Sequence, residues 1–340
     1  MKKKQMIGIV VAGVVFIAVC VTGILSNVLT NKVLEANKSS SSSFLNSFMS
    51  EMKEDIELPT EDFIGVIDVV GTIQASSSSS SGFSSTAGQY DHDLYMDYIE
   101  KMEKADNNKG ILLYVNSPGG TVYESDELYL RLMEYKKNTS RPVYAYFASE
   151  ACSGGYYISM AADKIYANRN CWTGSIGVIV SLTNCKKLYD KIGLKEIDIT
   201  SGKNKSMGSP GLDLTDEQYD ILQSLVDEAY DQFTDIVSKG RGMDIATVKK
   251  LADGRIYSAK QAKENGLVDE NGSLDDFKSV IQEENGLNDD IVYHDVNTAE
   301  NNFWSTLMGY ASQLKPKSDI EIATDIVENR GNGVLMYYAD

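Results

Sequence analysis

Hydrophobic and polar positions divide the chain into stretches of different character. Residues 6–25 contain no charged side chain, and as a helix this run is long enough to cross a bilayer. Serine-rich, weakly hydrophobic sequence follows, and beyond it short apolar runs alternate with segments of helical periodicity. We therefore predict a transmembrane signal anchor over 6–28, a flexible stalk over 29–58 and a folded domain over 59–285.

Strands and helices are predicted to alternate along the folded domain. Short apolar runs predict buried strands, and apolar residues three or four positions apart predict helices. The predicted strands are 64–70, 110–116 and 142–148, and the predicted helices are 94–103, 122–135, 153–162 and 215–239. This alternation predicts an α/β fold with a parallel sheet, in which ligands bind beyond the carboxyl ends of the strands.

Two glycine pairs follow predicted strands, where such a ligand would bind. The first pair closes the stretch 116–120, and backbone N–H groups freed by this turn can bind an anion or a developing oxyanion. In the second pair, Ser153 stands directly before Gly154 and Gly155, at the predicted start of a helix. A serine at a strand-to-helix corner is presented to a substrate carbonyl. Each pair alone is equally compatible with a plain turn.

Charge near the amino terminus predicts the orientation of the membrane helix. Residues 1–5 contain three lysines, whereas only Lys32 and Lys38 follow the apolar run closely. Because positively charged flanks stay in the cytoplasm, we expect residues 1–5 to be cytoplasmic and the folded domain to lie outside the cell. The formal net charge of −17 argues against nucleic acid as a partner.

Cysteine and histidine are too few for a disulfide framework or a metal centre. Cys152, Cys171 and Cys185 follow the apolar run, an odd number without a Cys-x-x-Cys spacing. The two histidines, His92 and His294, are expected to be solvated surface residues, so a Ser-His-Asp triad lacks support. Lysine is another base that activates serine when burial keeps its amine neutral. Spacing alone does not choose among the many lysines.

Short motifs in a fixed order point to a family. They are Asn-Ser-Pro-Gly-Gly at 116–120, Ala-Cys-Ser-Gly-Gly-Tyr-Tyr at 151–157, Thr-Gly-Ser-Ile-Gly-Val at 173–178, Gly-Lys-Asn-Lys-Ser at 202–206, Gly-Arg-Ile-Tyr-Ser-Ala-Lys-Gln-Ala at 254–262 and Asn-Gly-Leu-Val-Asp at 265–269. In this order they resemble bacterial signal peptide peptidase A, in its short, single-repeat Gram-positive form. The resemblance covers roughly residues 60–280.

The resemblance implies a ClpP/crotonase-like α/β fold of repeated ββα units, preceded here by one N-terminal transmembrane helix. It implies a serine peptidase with a Ser-Lys dyad and no metal or other cofactor. Such a peptidase degrades signal-peptide remnants or other apolar peptides at the outer face of the bacterial cell membrane, in a groove expected to prefer small and apolar side chains. It also implies a homo-oligomeric ring, expected to be an octamer, in which one subunit's lysine can complete a neighbour's site.

Carried over motif by motif, the resemblance assigns Ser153 as the nucleophile and Lys205 as the general base. Lys203 competes for the second role, because on an extended segment it would share a face with Lys205. Only the family's spacing after Gly202 favours Lys205. Cys152 then becomes a small residue in the wall of the site.

Three further roles follow from the same motifs. Ser175 matches the hydroxyl that orients the lysine amine. The N–H groups of Gly120 and Gly154 match the two donors of the oxyanion hole.

Two functions of other classes stay open. The first is a catalytically idle, membrane-tethered scaffold that binds exported peptides, although the chain retains both the serine and the lysine. The second is an acyl-CoA hydratase or isomerase of the same fold, with Glu124 or Glu150 as acid or base. An exported domain has little access to acyl-CoA, which disfavours this second function.

The carboxyl-terminal tail, residues 286–340, leaves the family pattern. It ends in an apolar run, 333–340. Terminal residues are commonly frayed, which predicts a flexible tail. The competing hypothesis is that this run resembles an apolar substrate, lies in the groove of the enzyme and is trimmed there.

Overall fold

The computed structural model describes residues 56–76, 90–296 and 336–338. The predicted anchor, nearly all of the predicted stalk and most of the tail lie outside these residues. No helix within the described ranges is both long enough and apolar enough to cross a membrane. The membrane helix over 6–28 therefore stays a prediction from the sequence.

The described strands form a main sheet and a short two-stranded ladder. Their bounds are β1 Phe63–Val70, β2 Asn108–Ser117, β3 Gly119–Thr121, β4 Val143–Cys152, β5 Lys164–Ala167, β6 Trp172–Gly174, β7 Ile256–Ser258, β8 Glu270–Asn271, β9 Val292–Asp295 and β10 Met336–Tyr338. The main sheet has the order β7-β6-β4-β2-β1-β9, and β5 pairs with both β4 and β8. Its pairs are parallel except β6 with β7, so the predicted α/β fold is confirmed with a mixed sheet.

Most of the predicted elements extend further than their apolar patterns indicate. β4 runs four residues past its predicted end at 148 because Glu150, Ala151 and Cys152 pair with β6. β6 lies about 20 residues further along the chain, and the local pattern of β4 contains no sign of this partner. The longer strand carries the second glycine pair to the carboxyl end of the sheet.

Side-chain caps define where the helices begin. The helices are α1 His92–Lys104, α2 Val122–Thr139, α3 Gly154–Ile158, α4 Lys186–Ile192, α5 Asp216–Arg241, α6 Ile245–Leu251, α7 Ala259–Glu264 and α8 Leu274–Asn285, and a 3₁₀ turn at Ser159–Ala161 follows α3. Thr121 accepts a hydrogen bond from the N–H of Glu124, and Thr215 with Gln218 forms a capping box before α5. Because Thr121 also ends β3, its cap places the start of α2 directly after the first glycine pair.

Buried aromatic residues hold α3 in place behind the second glycine pair. Tyr156 and Tyr157 are both fully buried. The Tyr156 hydroxyl donates a hydrogen bond of 2.8 Å to the carbonyl of Leu267, and its ring packs edge-on against Phe147 of β4. These contacts fix the geometry of the corner between β4 and α3, where Ser153 lies.

Candidate active site

Ser153 occupies a strained corner between β4 and α3. Its backbone has φ 52° and ψ −113°, a conformation that non-glycine residues rarely adopt. Its N–H donates to the carbonyl of Gly174 at 2.8 Å, and its carbonyl accepts from Tyr157 at 2.9 Å. The residue is 1% exposed, and its Oγ has no hydrogen-bond partner among the residues that the structure describes. A buried hydroxyl without a partner costs free energy, so its retention at a strained corner indicates a function.

The two glycine pairs converge on this corner. A Cβ built on Gly154 would lie 3.1 Å from the backbone nitrogen of Gly120, and one built on Gly119 would lie 2.8 Å from the nitrogen of Gly154. Gly119 has a φ of 115°, which favours glycine, and a Cβ on Gly120 would lie 1.8 Å from the carbonyl oxygen of Ile73. Glycine at 119 and 120 therefore allows the close approach that brings the two backbone amides together.

The N–H of Gly120 points away from Ile73, which lies on one side of β3. Ile73 donates to the carbonyl of Gly119 at 2.9 Å, and Thr121 donates to the carbonyl of Ile73 at 2.8 Å. Because successive residues of a strand direct their N–H and C=O groups to opposite sides, Gly120 turns its own groups toward the other neighbour of β3. On that side, the N–H groups of Gly120 and Gly154 can both act on a carbonyl oxygen.

Ser175 lies beside the same corner, one residue after the carbonyl that binds the N–H of Ser153. Its φ is 48°, its N–H donates to the carbonyl of Arg255 at 2.8 Å, and it is 7% exposed. It lines a cavity of about 430 Å³ that extends toward α5. The structure thus brings Ser153, Gly154, Gly120 and Ser175 close together.

Lys205 is not part of this cluster within one chain. Its side chain is exposed, and among the described residues it forms no hydrogen bond with the Ser153 Oγ. Lys203 is also exposed, but its ammonium group lies 2.7 Å from a carboxylate oxygen of Glu217, and this bond lowers the pKa of Glu217. Of the two candidate bases, Lys203 therefore forms an ion pair with a carboxylate, and Lys205 forms none with the described residues.

The chain around Lys205 exposes an unusual amount of apolar surface. We call residues 178–214 the exposed segment. Its helix α4 buries none of its residues. Ile199 is 98% exposed, and other large apolar side chains of the segment are also solvent-accessible: Ile179, Leu182, Leu188, Ile192, Leu194, Ile197, Leu212 and Leu214. A contiguous set of this kind marks an interaction surface.

The histidines differ from the expectation, and neither serves Ser153. His92 is buried, not solvated: its Nδ1 lies 2.6 Å from the Tyr90 hydroxyl, and its Nε2 lies 2.9 Å from a carboxylate oxygen of Glu127. His294 is half-buried and lies 2.7 Å from the Tyr98 hydroxyl. The prediction of solvated surface residues was wrong because the partners Glu127 and Tyr98 lie on other elements, far from each histidine along the chain.

Cys152 is poorly suited to replace Ser153 as the nucleophile. Its side chain is buried, and burial raises the pKa of its thiol to about 12. A thiol attacks as the thiolate, which is scarce at neutral pH when the pKa is this high. Among the described residues, no group of three or more His, Cys, Asp or Glu side chains is arranged to hold a metal ion.

Part of the tail lies along the first glycine pair. β10 pairs antiparallel with β3, and Tyr337 stands opposite Gly120. The Tyr337 side chain is fully buried. The sequence alone is compatible both with a frayed tail and with a tail that lies in the groove. The apolar run 333–340 favours a tail in the groove. Nothing in the sequence of this run identifies β3 as its partner strand.

Family profiles match the part of the chain that contains this site. The profile of peptidase family S49 matches residues 135–288, and a Clp protease profile matches residues 84–175. Both matched ranges include Ser153 with β4 before it and α3 after it, and the second range also includes the first glycine pair.

Several curated proteins are similar over more than half of this chain. The chain is 44% identical over 201 residues to a putative signal peptide peptidase SppA of Enterococcus faecium, covering 59% of this chain and 58% of the relative. It is 39% identical over 199 residues to a putative protease of Methanocaldococcus jannaschii, covering 58% and 63%. It is 38% identical over 209 residues to a putative protease of Synechocystis sp., covering 62% and 75%. The matches thus span less than two thirds of the first two relatives.

Proposed function

This chain belongs to peptidase family S49, and we propose that it is a serine peptidase with Ser153 as its nucleophile. The observation that carries the proposal is the buried, unpartnered Oγ of Ser153 at a strained corner beside two converging backbone amides. A carbonyl placed there would meet the nucleophile and two donors at once. Donors of this kind stabilise the oxyanion of acyl transfer, each contributing about 10²–10³ in rate.

Lys205 of a second copy is proposed as the general base. Lysine accepts a proton only when neutral, and burial in an apolar pocket favours the neutral amine. Lys205 is exposed within one chain and lies on the apolar exposed segment, so association with another copy would bury both. Ser175 and its adjoining cavity lie where an incoming amine could be oriented.

The proposed reaction proceeds through an acyl-enzyme. Lys205 takes the proton of Ser153 as its Oγ attacks the substrate carbonyl, and the N–H groups of Gly120 and Gly154 stabilise the oxyanion. The ammonium of Lys205 then protonates the leaving amine. Water, activated by the same lysine, hydrolyses the ester and frees Ser153.

Apolar peptides are the proposed substrates, in particular signal-peptide remnants in or near the membrane. Support comes from the predicted anchor over 6–28, from the function that the name of the Enterococcus relative states and from the pairing of β10, in the apolar run of the tail, with β3. The predicted orientation of this anchor supports a domain outside the cytoplasm. The exposed segment and the match to a Clp protease profile support a ring of identical subunits, with eight as the proposed number.

Cleavage of an apolar signal-peptide-like substrate by the full chain in detergent tests the dyad. We expect Ser153→Ala and Lys205→Ala to abolish cleavage, and Lys203→Ala and Cys152→Ala to retain it. If all variants and the unaltered chain are folded, assembled and inactive, the idle scaffold becomes the better account.

Mixing the two inactive variants tests whether the dyad is shared between subunits. A ring assembled from equal amounts of Ser153→Ala and Lys205→Ala would contain both groups at about a quarter of its sites, if each site draws on two neighbours. We expect cleavage to return toward that fraction after joint assembly. A mixture that stays inactive despite joint assembly would place the lysine within the same chain as its serine.

A further inference from the structure

Ser117 lies between the two glycine pairs, and the proposed reaction does not use it. It ends β2, where it is aligned with Ala151 of β4, and it is fully buried. Its Oγ donates a hydrogen bond of 2.6 Å to the carbonyl of Gly71 and accepts one of 3.1 Å from the N–H of Gly119. A hydroxyl has a single proton, so donation to Gly71 leaves a lone pair of the oxygen for Gly119. The side chain therefore joins the turn after β1 to the first glycine pair.

The backbone of Gly119 is held on both sides by hydrogen bonds. Its carbonyl accepts a bond of 2.9 Å from the N–H of Ile73 and lies further from the Ser117 Oγ, at 3.4 Å. The N–H and the carbonyl of Gly119 belong to two successive peptide groups, so Ser117 fixes the plane of the first and Ile73 the plane of the second. The φ of Gly119 is 115°, in a region that glycine enters and leaves without steric cost. Fixing both planes holds this residue in one conformation.

The second of these peptide groups carries the proposed oxyanion donor. The peptide bond between Gly119 and Gly120 is trans, so the N–H of Gly120 points opposite to the carbonyl of Gly119. Because that carbonyl points to Ile73, the Gly120 N–H points to the opposite side of β3, where a substrate carbonyl would lie. Rotation of this peptide group about Gly119 would turn the N–H away, and the bond from Gly119 to Ser117 opposes this rotation.

The same serine also contacts the second glycine pair. A Cβ built on Gly155 would lie 3.1 Å from the Ser117 carbonyl oxygen and 3.4 Å from the Ser117 Cβ. Because Gly155 has no side chain, α3 begins directly against Ser117. The spacing between the proposed donors Gly120 and Gly154 therefore depends on how Ser117 is held.

We propose that Ser117 is a positioning residue of the oxyanion hole, whose hydroxyl holds Gly119 so that the N–H of Gly120 stays directed at the substrate carbonyl. The proposal rests on the proposed function and adds a residue to its mechanism. Ser117 acts through the backbone, because the Ser153 Oγ has no hydrogen-bond partner among the described residues. A misplacement of about 1 Å in an active site can cost about 100-fold in rate, so a hydroxyl behind the donor can control turnover.

Steady-state cleavage of an apolar signal-peptide-like substrate by the full chain tests this role. Ser117→Ala removes the hydroxyl and leaves the Gly119 N–H without this acceptor. We expect kcat to fall by about 10- to 100-fold, which is less than the loss of a whole donor, with KM within about 2-fold, because the oxyanion forms only in the transition state. An unchanged kcat, or a loss confined to KM, would overturn the proposal.

Two further readouts separate positioning from a general loss of structure. The pH profile of kcat should keep its shape in Ser117→Ala, because the proposed base is unaltered. Hydrogen exchange followed by mass spectrometry should become faster over 118–121 and stay unchanged in α5 and α8. A shifted pH profile, or faster exchange throughout the domain, would assign the loss of activity to another cause and contradict the proposal.

Ser117→Thr and Ser159→Ala are the comparison variants. Ser117→Thr keeps the hydroxyl, so its kcat and its protection over 118–121 should both exceed those of Ser117→Ala. Ser159→Ala removes an equally buried hydroxyl that binds the carbonyl of Gly155 at 2.8 Å and no N–H of the first pair, so kcat should stay near that of the unaltered chain. Protection regained in Ser117→Thr without a gain in kcat, or an equal loss of kcat in Ser159→Ala, would contradict the assignment.

Ser153→Ala distinguishes a failure of this proposal from a failure of the proposed function. If the unaltered chain does not cleave, or if Ser153→Ala cleaves equally well, the peptidase assignment fails and the positioning role fails with it. Cleavage that requires Ser153 but does not respond to Ser117→Ala refutes the positioning role alone.

Discussion

Asp68→Asn should flatten the pH dependence of folding stability in the neutral range. Asp68 of β1 hydrogen-bonds through its carboxyl to Asp295 of β9. Burial, followed by repulsion from Asp295, raises the pKa of Asp68 from 3.8 to about 7. The pair borders a cavity of about 240 Å³ whose apolar lining includes Val66 and Leu112. Asp68 is therefore largely protonated below neutrality and charged above it.

The direction and size of the effect follow from this raised pKa. When folding raises the pKa of a carboxyl, the folded chain binds the proton more tightly than the unfolded chain does. The resulting stabilisation is fully present below the unfolded pKa, and it is lost as the pH rises through the folded pKa of about 7. For the full shift, the loss between about pH 5.5 and 8.5 is about 2 kcal/mol. Because Asp68 is partly solvated, screening reduces the expected loss to about 1 kcal/mol.

Urea unfolding at several pH values measures this loss. The unaltered chain should become less stable between about pH 5.5 and 8.5, whereas Asp68→Asn should retain its stability over the same range. Asp106→Asn removes the same charge from an exposed turn and controls for net charge. If Asp68→Asn and the unaltered chain lose stability in parallel, Asp68 does not carry the raised pKa and the reasoning fails.

Three further changes probe the corner and its support. Gly120→Ala should lower cleavage, measured by steady-state kinetics, by about 100-fold or more, because its methyl group would collide with the Ile73 carbonyl and displace a proposed oxyanion donor. Near-normal activity would contradict the close approach of Gly120 to Ile73. Iodoacetamide should leave Cys152 unmodified and cleavage unchanged in the folded chain, because the thiol pKa is about 12; peptide mapping that found rapid labelling would disprove this. Tyr156→Phe should lower the unfolding free energy by about 1 kcal/mol through loss of its hydrogen bond to Leu267, with cleavage retained; no change in urea unfolding would show that this bond adds nothing.

Local chemistry of the site could be predicted from sequence, and its distant contacts could not. Strands with continuous apolar runs and glycines at their ends predicted the corner at Ser153 and the glycine turn at 116–120, whereas pairing Gly120 with Gly154 required the motif resemblance. Motif resemblance was needed to distinguish Lys205 from Lys203. The structure then adds a physical difference, the ion pair of Lys203 with Glu217. The local sequence around His92 does not predict its hydrogen bond with Glu127, which lies 35 positions away.

The same distinction explains why β10 was harder to predict than β4. A central strand is recognisable because its own side chains are buried on both faces of the sheet. β10 is short, and its one described side chain, Tyr337, is buried by residues of α3 and α5 and not by a sheet. Its placement depends on complementarity to a cavity, which is a property of two distant parts of the chain.

The structure separates the proposed nucleophile from the proposed base, and this separation has a functional consequence. Ser153 is held by backbone hydrogen bonds, and the proposed oxyanion donors, Gly120 and Gly154, converge within a single chain. Lys205, in contrast, lies among exposed apolar residues that a second copy could cover. If assembly supplies the base, an isolated subunit retains a formed groove but cannot activate its serine. Hydrolysis would then be confined to assembled rings, and the tail along β3 would occupy the groove of a subunit until assembly is complete.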